Sequence, residues 1–504
     1  MTPVRGWPLS LRLLAAAALG GVGAFGQAPH LYWGATVLAL VLIVPIFLTS
    51  ETRGRAAWVG WAFATGYFAH ALGWIIEPFQ VDAERHAWMA PFALVFLAGG
   101  LALFWAAAFG LSRRIGATPI RQGILLVAVL SLAEVARGYV LTGFPWAGAA
   151  QIWVDTPVAQ VLSLVGPYGL NALTFAATLP IGAALVQDKP LNGLARTLGF
   201  TVAMAVMAIT YGSMRPVVQG SSHLVRVVQP NAPQHQKWDP AYAPLFFARQ
   251  VEYTAAFPRP DLIVWPETAV PAWLGSAQPF LSTVADAAQG VPVILGIQRA
   301  EGSRIFNSLV YLDETGRQAG LYDKHHLAPF GEYVPLGDLM GRFGVSGLAA
   351  TTGHGFSAGP GPSRLDLGKL GNALPLICYE AIFPQDVNGA PGRADFLLQI
   401  TNDAWFGTRS GPFQHLVQAR MRAIEQGLPM IRSANTGVSA VIDPLGRVTA
   451  SLALGEAGYV DAVLPQPHRR TTYARIGDSP VVVVLLFILA MALFGIRGDR
   501  AIRD

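Results

Sequence analysis

Long apolar segments separated by short polar loops fill the first 212 residues, and one more lies near the end of the chain. Most of these segments approach the roughly 20 residues that a helix needs to cross a bilayer. We predict eight membrane spans, at residues 9–26, 31–49, 56–76, 88–110, 122–142, 157–186, 193–212 and 479–496. The pattern divides the chain into residues 1–212 with seven spans, an inserted domain at 213–478, and a last span with its tail at 479–504.

The inserted domain has a different pattern, with short apolar runs separated by polar loops and amphipathic stretches. We predict strands at 225–230, 261–267, 291–297, 304–311, 318–322, 374–377, 396–400, 429–434 and 437–442, and helices at 241–256, 278–289 and 412–427. The turn at Asp313–Gly316 should join two of these strands into a hairpin. Strands interspersed with helices indicate an α/β domain with helices packed outside its sheets.

Arginine and lysine are distributed unevenly around the predicted spans. With a cytoplasmic N-terminus, the short outside loops carry only Arg85, whereas the inside positions carry Arg5, Arg12, Arg53, Arg55, Arg113, Arg114, Arg121, Lys189, Arg196, Arg497, Arg500 and Arg503. Basic residues favour the cytoplasmic side, so we predict cytoplasmic termini and an extracytoplasmic inserted domain. A signal peptide at the first segment is rejected because this orientation requires that the segment be kept.

Two charges and two tryptophans stand out among the predicted spans. Glu134 and Arg137 are three residues apart, so they share a helix face. Such charges are candidates for function, but we favour a mutual ion pair that holds helices together. Trp146 and Trp153 are predicted to lie in the aromatic belt at the membrane interface. No inverted repeat or path of charged residues is visible in the sequence, which argues against a transporter.

Composition adds one candidate nucleophile. Charged residues make up only 13% of the chain, and the deficit is confined to the predicted spans. Cys378 is the only cysteine, which excludes an internal disulfide. It follows the apolar run 374–377, so a strand would present its thiol at a sharp turn. The alternative is a buried cysteine that acts as a small hydrophobic side chain.

Glu267, Lys324 and Cys378 each end an apolar run that is predicted to be a strand. Strand ends at one edge of a sheet can converge on a pocket. A thiolate is a strong nucleophile that a nearby cation favours. A carboxylate can take the thiol proton, and an ammonium can stabilise the oxyanion of a tetrahedral intermediate. Together these groups predict acyl transfer through a thioester.

The segments Trp265–Glu267, Tyr322–Lys324 and Cys378–Glu380 resemble the signature segments of the nitrilase superfamily. Longer matches to one branch are Asp323–Pro335, Asn402–Gly407, Gln414–Leu416, Arg432–Gly437 and Thr142–Trp146. With eight predicted spans, the chain is similar to the membrane-bound branch of that superfamily, the apolipoprotein N-acyltransferases. Ile382 favours this branch, because soluble nitrilase-type amidases usually have arginine at that position.

The resemblance implies an α-β-β-α sandwich and a role for each matching side chain. Glu267 is expected to be the general base, Lys324 the oxyanion stabiliser and Cys378 the acyl carrier. The supporting active-site residues are expected to be Glu332, Tyr379 and Glu380, and the substrate-binding residues Trp238 and Asn307. Turn-holding roles are expected for Asn402, Asp403 and Asn435, and loop packing for His325 and His326.

The resemblance also implies a reaction and its partners. An acyl chain would pass from the sn-1 ester of a phospholipid, with phosphatidylethanolamine expected, through Cys378 to the α-amine of an S-diacylglyceryl cysteine on an apolipoprotein. We expect a monomer in a bacterial inner membrane, with no cofactor, no metal and no nucleic-acid partner. The alternatives are a membrane-tethered amidase with the same triad and a non-enzymatic factor that binds lipoproteins. Residues 338–362, with Phe343 and Leu348, are either a lid that dips into lipid or a surface loop.

Overall fold

The structure is a computed structural model that describes residues 6–115, 118–187, 190–335 and 355–501. The chain forms two compact units. The helical unit comprises Met1–Ile76, Trp88–Arg215 and Thr472–Asp504, and the α/β unit comprises Glu77–Ala87 and Pro216–Thr471. The proposed lid residues Phe343 and Leu348, with most of 338–362, lie outside the described residues, as do Arg5, Lys189 and Arg503.

The helical unit is built from long apolar helices. Those of the described residues are Leu9–Gly23, Trp33–Leu48, Arg53–Ala71, Ala90–Ile115, Pro119–Tyr139, Leu162–Ala184, Pro190–Ser213 and Ser479–Ala501, and a short helix, Thr472–Ile476, precedes the last of them. Within the part of the chain that the structure describes, five helical stretches are long and apolar enough to cross a membrane: Leu9–Gly26, Ala83–Arg113, Pro119–Tyr139, Pro157–Ala184 and Pro190–Ser213.

The predicted total of eight spans is not confirmed by the described residues. Arg53–Ala71 and Gly73–Gln80, bent by 47°, would together make a sixth span. The Trp33–Leu48 helix has 16 residues, so it is about 24 Å long, short of the ~30 Å hydrocarbon core. Ser479–Met491 is the apolar part of the Ser479–Ala501 helix whose side chains are described, and that part alone is shorter than a span.

Glu134 and Arg137 form a fully buried ion pair, with Arg137 Nη2 2.6 Å from Glu134 Oε2 and Nε 3.0 Å from Oε1. Arg137 also donates to the carbonyl oxygen of Trp146 at 2.7 Å. The predicted ion pair is confirmed. Because both residues lie on the Pro119–Tyr139 helix, the bond to another helix comes from Trp105 Nε1, which donates to Glu134 Oε1 at 2.8 Å. The prediction for Trp146 was wrong, because its side chain is fully buried and packs on Trp74 with ring centroids 4.7 Å apart. Positive φ angles at Leu141, at Gly143 and at position 147 accompany the turns of this segment.

The α/β unit contains two six-stranded mixed sheets. The strands are β1 (Gly220–Gln229), β2 (Leu262–Val264), β3 (Val293–Glu301), β4 (Arg304–Leu312), β5 (Gln318–Asp323), β6 (Leu365–Asp366), β7 (Asn372–Ile377), β8 (Phe396–Thr401), β9 (Met430–Ala434), β10 (Ser439–Ile442), β11 (Val448–Leu452) and β12 (Gly458–Pro465). Their orders are β12-β1-β2-β3-β4-β5 and β11-β10-β9-β8-β7-β6. In each sheet the central strands are parallel, β1 with β2 and β3, and β7 with β8 and β9.

The two sheets pack face to face, with helices on their outer faces. Side chains alternate across a strand, so Val227 of β1 lies in the core shared by both sheets while Val228 lies in the outer one. The outer face of the first sheet is covered by the helices Ala243–Ala255 and Gln278–Ala288, and that of the second by Gly411–Gln426. The layer order is helix, sheet, sheet, helix.

The predicted elements of this unit are largely confirmed. The β4–β5 hairpin is present, with a turn in which Gly316 N donates to Asp313 O. Three strands were not predicted: β6, β11 and β12. All three lie at the edge of a sheet, and β11 buries little of its surface.

Candidate active site

Cys378 is the first residue after β7 and has a φ of 51°. A non-glycine residue with positive φ is uncommon, and such strain concentrates at functional positions. The side chain is only 8% exposed. Its carbonyl oxygen accepts a hydrogen bond from Gln399 Nε2 at 3.2 Å and lies 3.1 Å from His415 Nε2. Buried side chains of the second sheet and its outer helix thus hold the backbone of Cys378 in a strained conformation.

Glu267, Lys324 and Glu332 form one buried cluster. The Lys324 ammonium lies 2.8 Å from Glu332 Oε2 and 3.8 Å from Glu267 Oε1. Asn307 Nδ2 donates to Glu267 Oε1 at 2.6 Å and to Glu332 Oε1 at 3.1 Å, so one amide aligns both carboxylates. The backbone N–H of Asn402 donates to Glu267 Oε2 at 2.8 Å. Of the three strand ends that were predicted to converge, those that carry Glu267 and Lys324 do so.

Electrostatics link the cluster to the thiol. Burial and the charge of Glu267 raise the pKa of the Cys378 thiol, while Lys324 opposes the increase. Burial raises the pKa of Glu267, and Lys324 opposes this increase too. Burial would lower the pKa of Lys324, but Glu332 and Glu267 outweigh it and raise the pKa. The Cys378 thiol is therefore protonated at neutral pH. It interacts with Glu267, whose pKa is raised, and with Lys324, which stays charged.

Glu380 connects the ends of β5 and β7. Its Oε1 accepts hydrogen bonds from Tyr322 OH at 2.9 Å and from His325 N at 2.7 Å, and its Oε2 accepts one from Ile377 N at 2.7 Å. The first two donors flank Lys324 in the sequence and the third precedes Cys378. Glu380 therefore links the backbone next to Lys324 with the backbone next to Cys378.

Tyr379, the residue after Cys378, and His326 belong to an aromatic cluster. His326 stacks on Phe383 with ring centroids 3.6 Å apart, and Tyr379 contacts Phe383 edge-on at 5.0 Å. His325 lies 2.6 Å from Glu380 Oε1, so it makes an ionic contact in addition to its packing role. Within the described ranges, no group of three His, Cys, Asp or Glu side chains is placed to hold a metal ion.

Asp403 does more than hold a turn. Its carboxylate is fully buried, 2.8 Å from His415 Nδ1 and 2.5 Å from Arg432 Nη2, and it accepts a hydrogen bond from Thr401 at 2.9 Å. Burial opposes ionisation, but Arg432 and His415 lower the pKa of Asp403 to about 2. This ion cluster lies beneath the carbonyl of Cys378. In the sequence, the signal for this cluster was an acid, Asp403, shortly after the end of strand β8.

Two amides beside Asp403 have the expected turn-holding contacts. Asn435 Nδ2 donates to Asn402 Oδ1 at 2.8 Å and to Ala232 O at 2.7 Å. Asn402 Nδ2 donates to Gln234 Oε1 at 2.7 Å. These bonds join the loop after β1 to the ends of β8 and β9.

Trp238 lies on that loop after β1 and is 43% exposed. It lines a small open cavity, with room for about one water molecule, together with Lys237, Pro266 and Thr268. The sequence analysis missed Lys237, which is buried and donates to the carbonyl oxygen of Glu267 at 2.9 Å. Trp238 therefore directly follows, in the sequence, the lysine that contacts Glu267.

Two family models match the chain. Residues 224–473 match the carbon-nitrogen hydrolase family, which gives the α/β unit its fold class. Residues 19–179 match the N-terminal domain of apolipoprotein N-acyltransferase. Among solved structures, the chain is similar to a CN-hydrolase superfamily protein from Xanthomonas campestris, with 21% identity, a TM-score of 0.36, and coverage of 52% of this chain and 96% of that one.

Two curated relatives match most of the chain. The apolipoprotein N-acyltransferase of Bradyrhizobium diazoefficiens is 37% identical, over 97% of this chain and 95% of that protein. The apolipoprotein N-acyltransferase of Caulobacter vibrioides is 38% identical, over 85% of this chain and 84% of that protein. The chain belongs to the apolipoprotein N-acyltransferase family.

Proposed function

We propose that this chain transfers a fatty acyl group from a phospholipid to the α-amine of the N-terminal S-diacylglyceryl cysteine of an apolipoprotein. The observation that carries the proposal is the buried cluster of Glu267, Lys324 and Glu332 in electrostatic contact with Cys378. Family membership over nearly the whole chain supports an acyltransferase rather than an amidase.

In the first half-reaction, Cys378 Sγ attacks the carbonyl carbon of the sn-1 ester, with phosphatidylethanolamine as the expected donor. Glu267 accepts the thiol proton as general base. Lys324 stabilises the oxyanion of the tetrahedral intermediate. The carbon–oxygen ester bond then breaks, Glu267 returns the proton to the departing oxygen, and a lysophospholipid leaves. An acyl thioester remains on Cys378.

In the second half-reaction, the α-amine of the lipid-modified cysteine attacks the thioester. A carbon–nitrogen bond forms, the carbon–sulfur bond breaks, and Glu267 passes the amine proton to the sulfur of Cys378. Water competes with the amine, so the reaction requires a site that excludes it. The low exposure of all three triad side chains fits this requirement. No cofactor takes part in either step.

The supporting residues act through the triad. Asn307 aligns Glu267 with Glu332, and Glu332 holds the ammonium of Lys324 through its 2.8 Å contact. Glu380 and Tyr379 hold the segment beside the nucleophile. Trp238 is the proposed substrate-binding residue, which its 43% exposure and its place next to Lys237 support.

We also propose that eight helices span the inner membrane, with the α/β unit on the periplasmic side and both termini in the cytoplasm. The apolar helices and the distribution of arginines support this topology. Because both substrates are lipids or lipid-anchored, a membrane anchor brings the thiol to the surface where they lie.

The proposal is tested in detergent with phosphatidylethanolamine that carries an isotope-labelled sn-1 chain and a synthetic diacylglyceryl lipopeptide. The expected result is lysophospholipid and a lipopeptide heavier by one labelled acyl group. Cys378→Ala and Glu267→Gln should lack both products, whereas Glu301→Gln, at an acid whose side chain is 66% exposed, should retain them. Release of ammonia from small amides without any acylated lipopeptide would refute the proposal in favour of an amidase.

A further inference from the structure

Lys237 is a buried cation that the proposed mechanism does not use. Its ammonium donates to the carbonyl oxygen of Glu267 at 2.9 Å and to Thr268 Oγ1 at 2.8 Å. It also lies 5.7 Å from the ring centroid of Trp238, within the range of a cation–π contact. Its side chain is 7% exposed, so these contacts replace water around the charge.

The two hydrogen bonds fix a strained turn. Thr268 has a φ of 48°, which is a genuine outlier for a β-branched residue. Glu267 precedes it, so the direction of the Glu267 side chain depends on this turn. Lys237 hydrogen-bonds to the carbonyl oxygen of Glu267 and to the hydroxyl of Thr268. The carboxylate of Glu267 is then fixed from the other side by Asn307 and by the backbone of Asn402.

Lys237 also changes the charge balance around the thiol. Its ammonium lowers the pKa of Glu267, and it interacts electrostatically with Cys378. Burial lowers the pKa of Lys237 itself to about 8, so it is mostly charged at neutral pH. The other charged groups that act on this acid and this thiol are Lys324, Glu332 and Asp403.

We propose that Lys237 is a positioning residue of the acyl transfer, which fixes the backbone of Glu267 and supplies a second positive charge to Glu267 and Cys378. The inference rests on the proposed function, in which Glu267 is the general base. Because Lys237 is next to Trp238 in the sequence, it also connects the loop after β1 to Glu267, the proposed general base.

The test uses the single cysteine of the full-length protein in detergent. Cys378 is alkylated with iodoacetamide across a range of pH values, and the adduct is followed by intact mass. Lys237→Met should slow alkylation about tenfold at every pH below the thiol pKa, which is the change expected if that pKa rises by about one unit. Lys237→Arg should restore the profile, and Lys369→Met, at a lysine whose side chain is 91% exposed, should leave it unchanged.

A purely structural lysine would lower the amount of folded protein without slowing alkylation of the folded fraction. An unchanged alkylation rate in folded Lys237→Met therefore overturns the inference. If that variant does not fold, Lys237→Gln keeps an N–H donor without the charge, and its alkylation rate decides in the same way. Alkylation needs neither lipid substrate, so a wild-type protein that forms no acyl adduct would contradict the proposed function while the role of Lys237 beside Cys378 stands.

Discussion

Replacing Glu332 with glutamine removes one of the two carboxylates that neutralise the buried Lys324. The lost partner is 2.8 Å from the ammonium, whereas the remaining partner, Glu267, is 3.8 Å away. Removing one partner of a buried ion pair lowers the free energy of unfolding by about 3–5 kcal/mol. Because Glu267 still partly neutralises Lys324, we expect a loss of about 3 kcal/mol. For a domain of this size, a loss of 1 kcal/mol lowers Tm by about 2–4 °C, so a fall of about 6–12 °C is expected.

The same substitution should shift the pH profile of the first half-reaction. Glu332 raises the pKa of Glu267 by charge repulsion. In Glu332→Gln the pKa of Glu267 falls, so the acid limb of kcat/KM should move to lower pH. Lys237→Met should shift the same limb to higher pH, because Lys237 lowers the pKa of Glu267.

The assay is release of lysophospholipid against pH, together with thermal unfolding in detergent. Glu301→Gln is the matched control, because that side chain is 66% exposed in its pair with Arg299. Exposed pairs contribute about 0–1 kcal/mol, so its Tm should stay within about 2–4 °C of wild type. Equal Tm losses in both variants, or an acid limb that moves upward in Glu332→Gln, would refute the argument for the cluster.

Three further substitutions give distinct results. Burial opposes ionisation of Asp403, but Arg432 and His415 outweigh it and lower the pKa of Asp403 to about 2. The ionised carboxylate therefore adds about 2 kcal/mol to the free energy of unfolding above pH 4, and this contribution is lost as the pH falls towards 2. The Tm difference between Asp403→Asn and wild type should narrow over that range, and a constant difference would argue against it. Asn307→Ala should lower the rate of thioester formation about 10–100-fold, because two buried carboxylates lose a donor; an unchanged rate would exclude its aligning role. Glu134→Gln should cost about 3–5 kcal/mol by leaving Arg137 unpaired in charge, and an unchanged Tm would show that the pair is not structural.

The central strands were predictable because their signal is local. The run before Cys378 and the hairpin before Lys324 are apolar segments that end in one polar residue, and both are strands in the structure. The edge strands β11 and β12 were missed for a physical reason. An edge strand has a partner on one side only and, in β11, much of its surface is exposed, so it carries a weak hydrophobic pattern.

The missed parts of the site depend on contacts that leave no sequence pattern. Lys237 lies in a polar loop, and one of its partners is a backbone carbonyl, which any residue could provide. Asp403 resembles an ordinary turn residue until the fold brings Arg432 from a neighbouring strand to within 2.5 Å. Trp146 is typical of a membrane interface by composition, but its segment folds inward onto Arg137.

The measurement that tests the central claim most directly is the intact mass of the protein after incubation with phosphatidylethanolamine of defined acyl chains. We predict one fatty-acyl adduct that hydroxylamine removes and that Cys378→Ala lacks. An adduct that persists in Cys378→Ala would identify a different nucleophile. A folded wild-type protein that never acquires the adduct would contradict the acyl-enzyme mechanism.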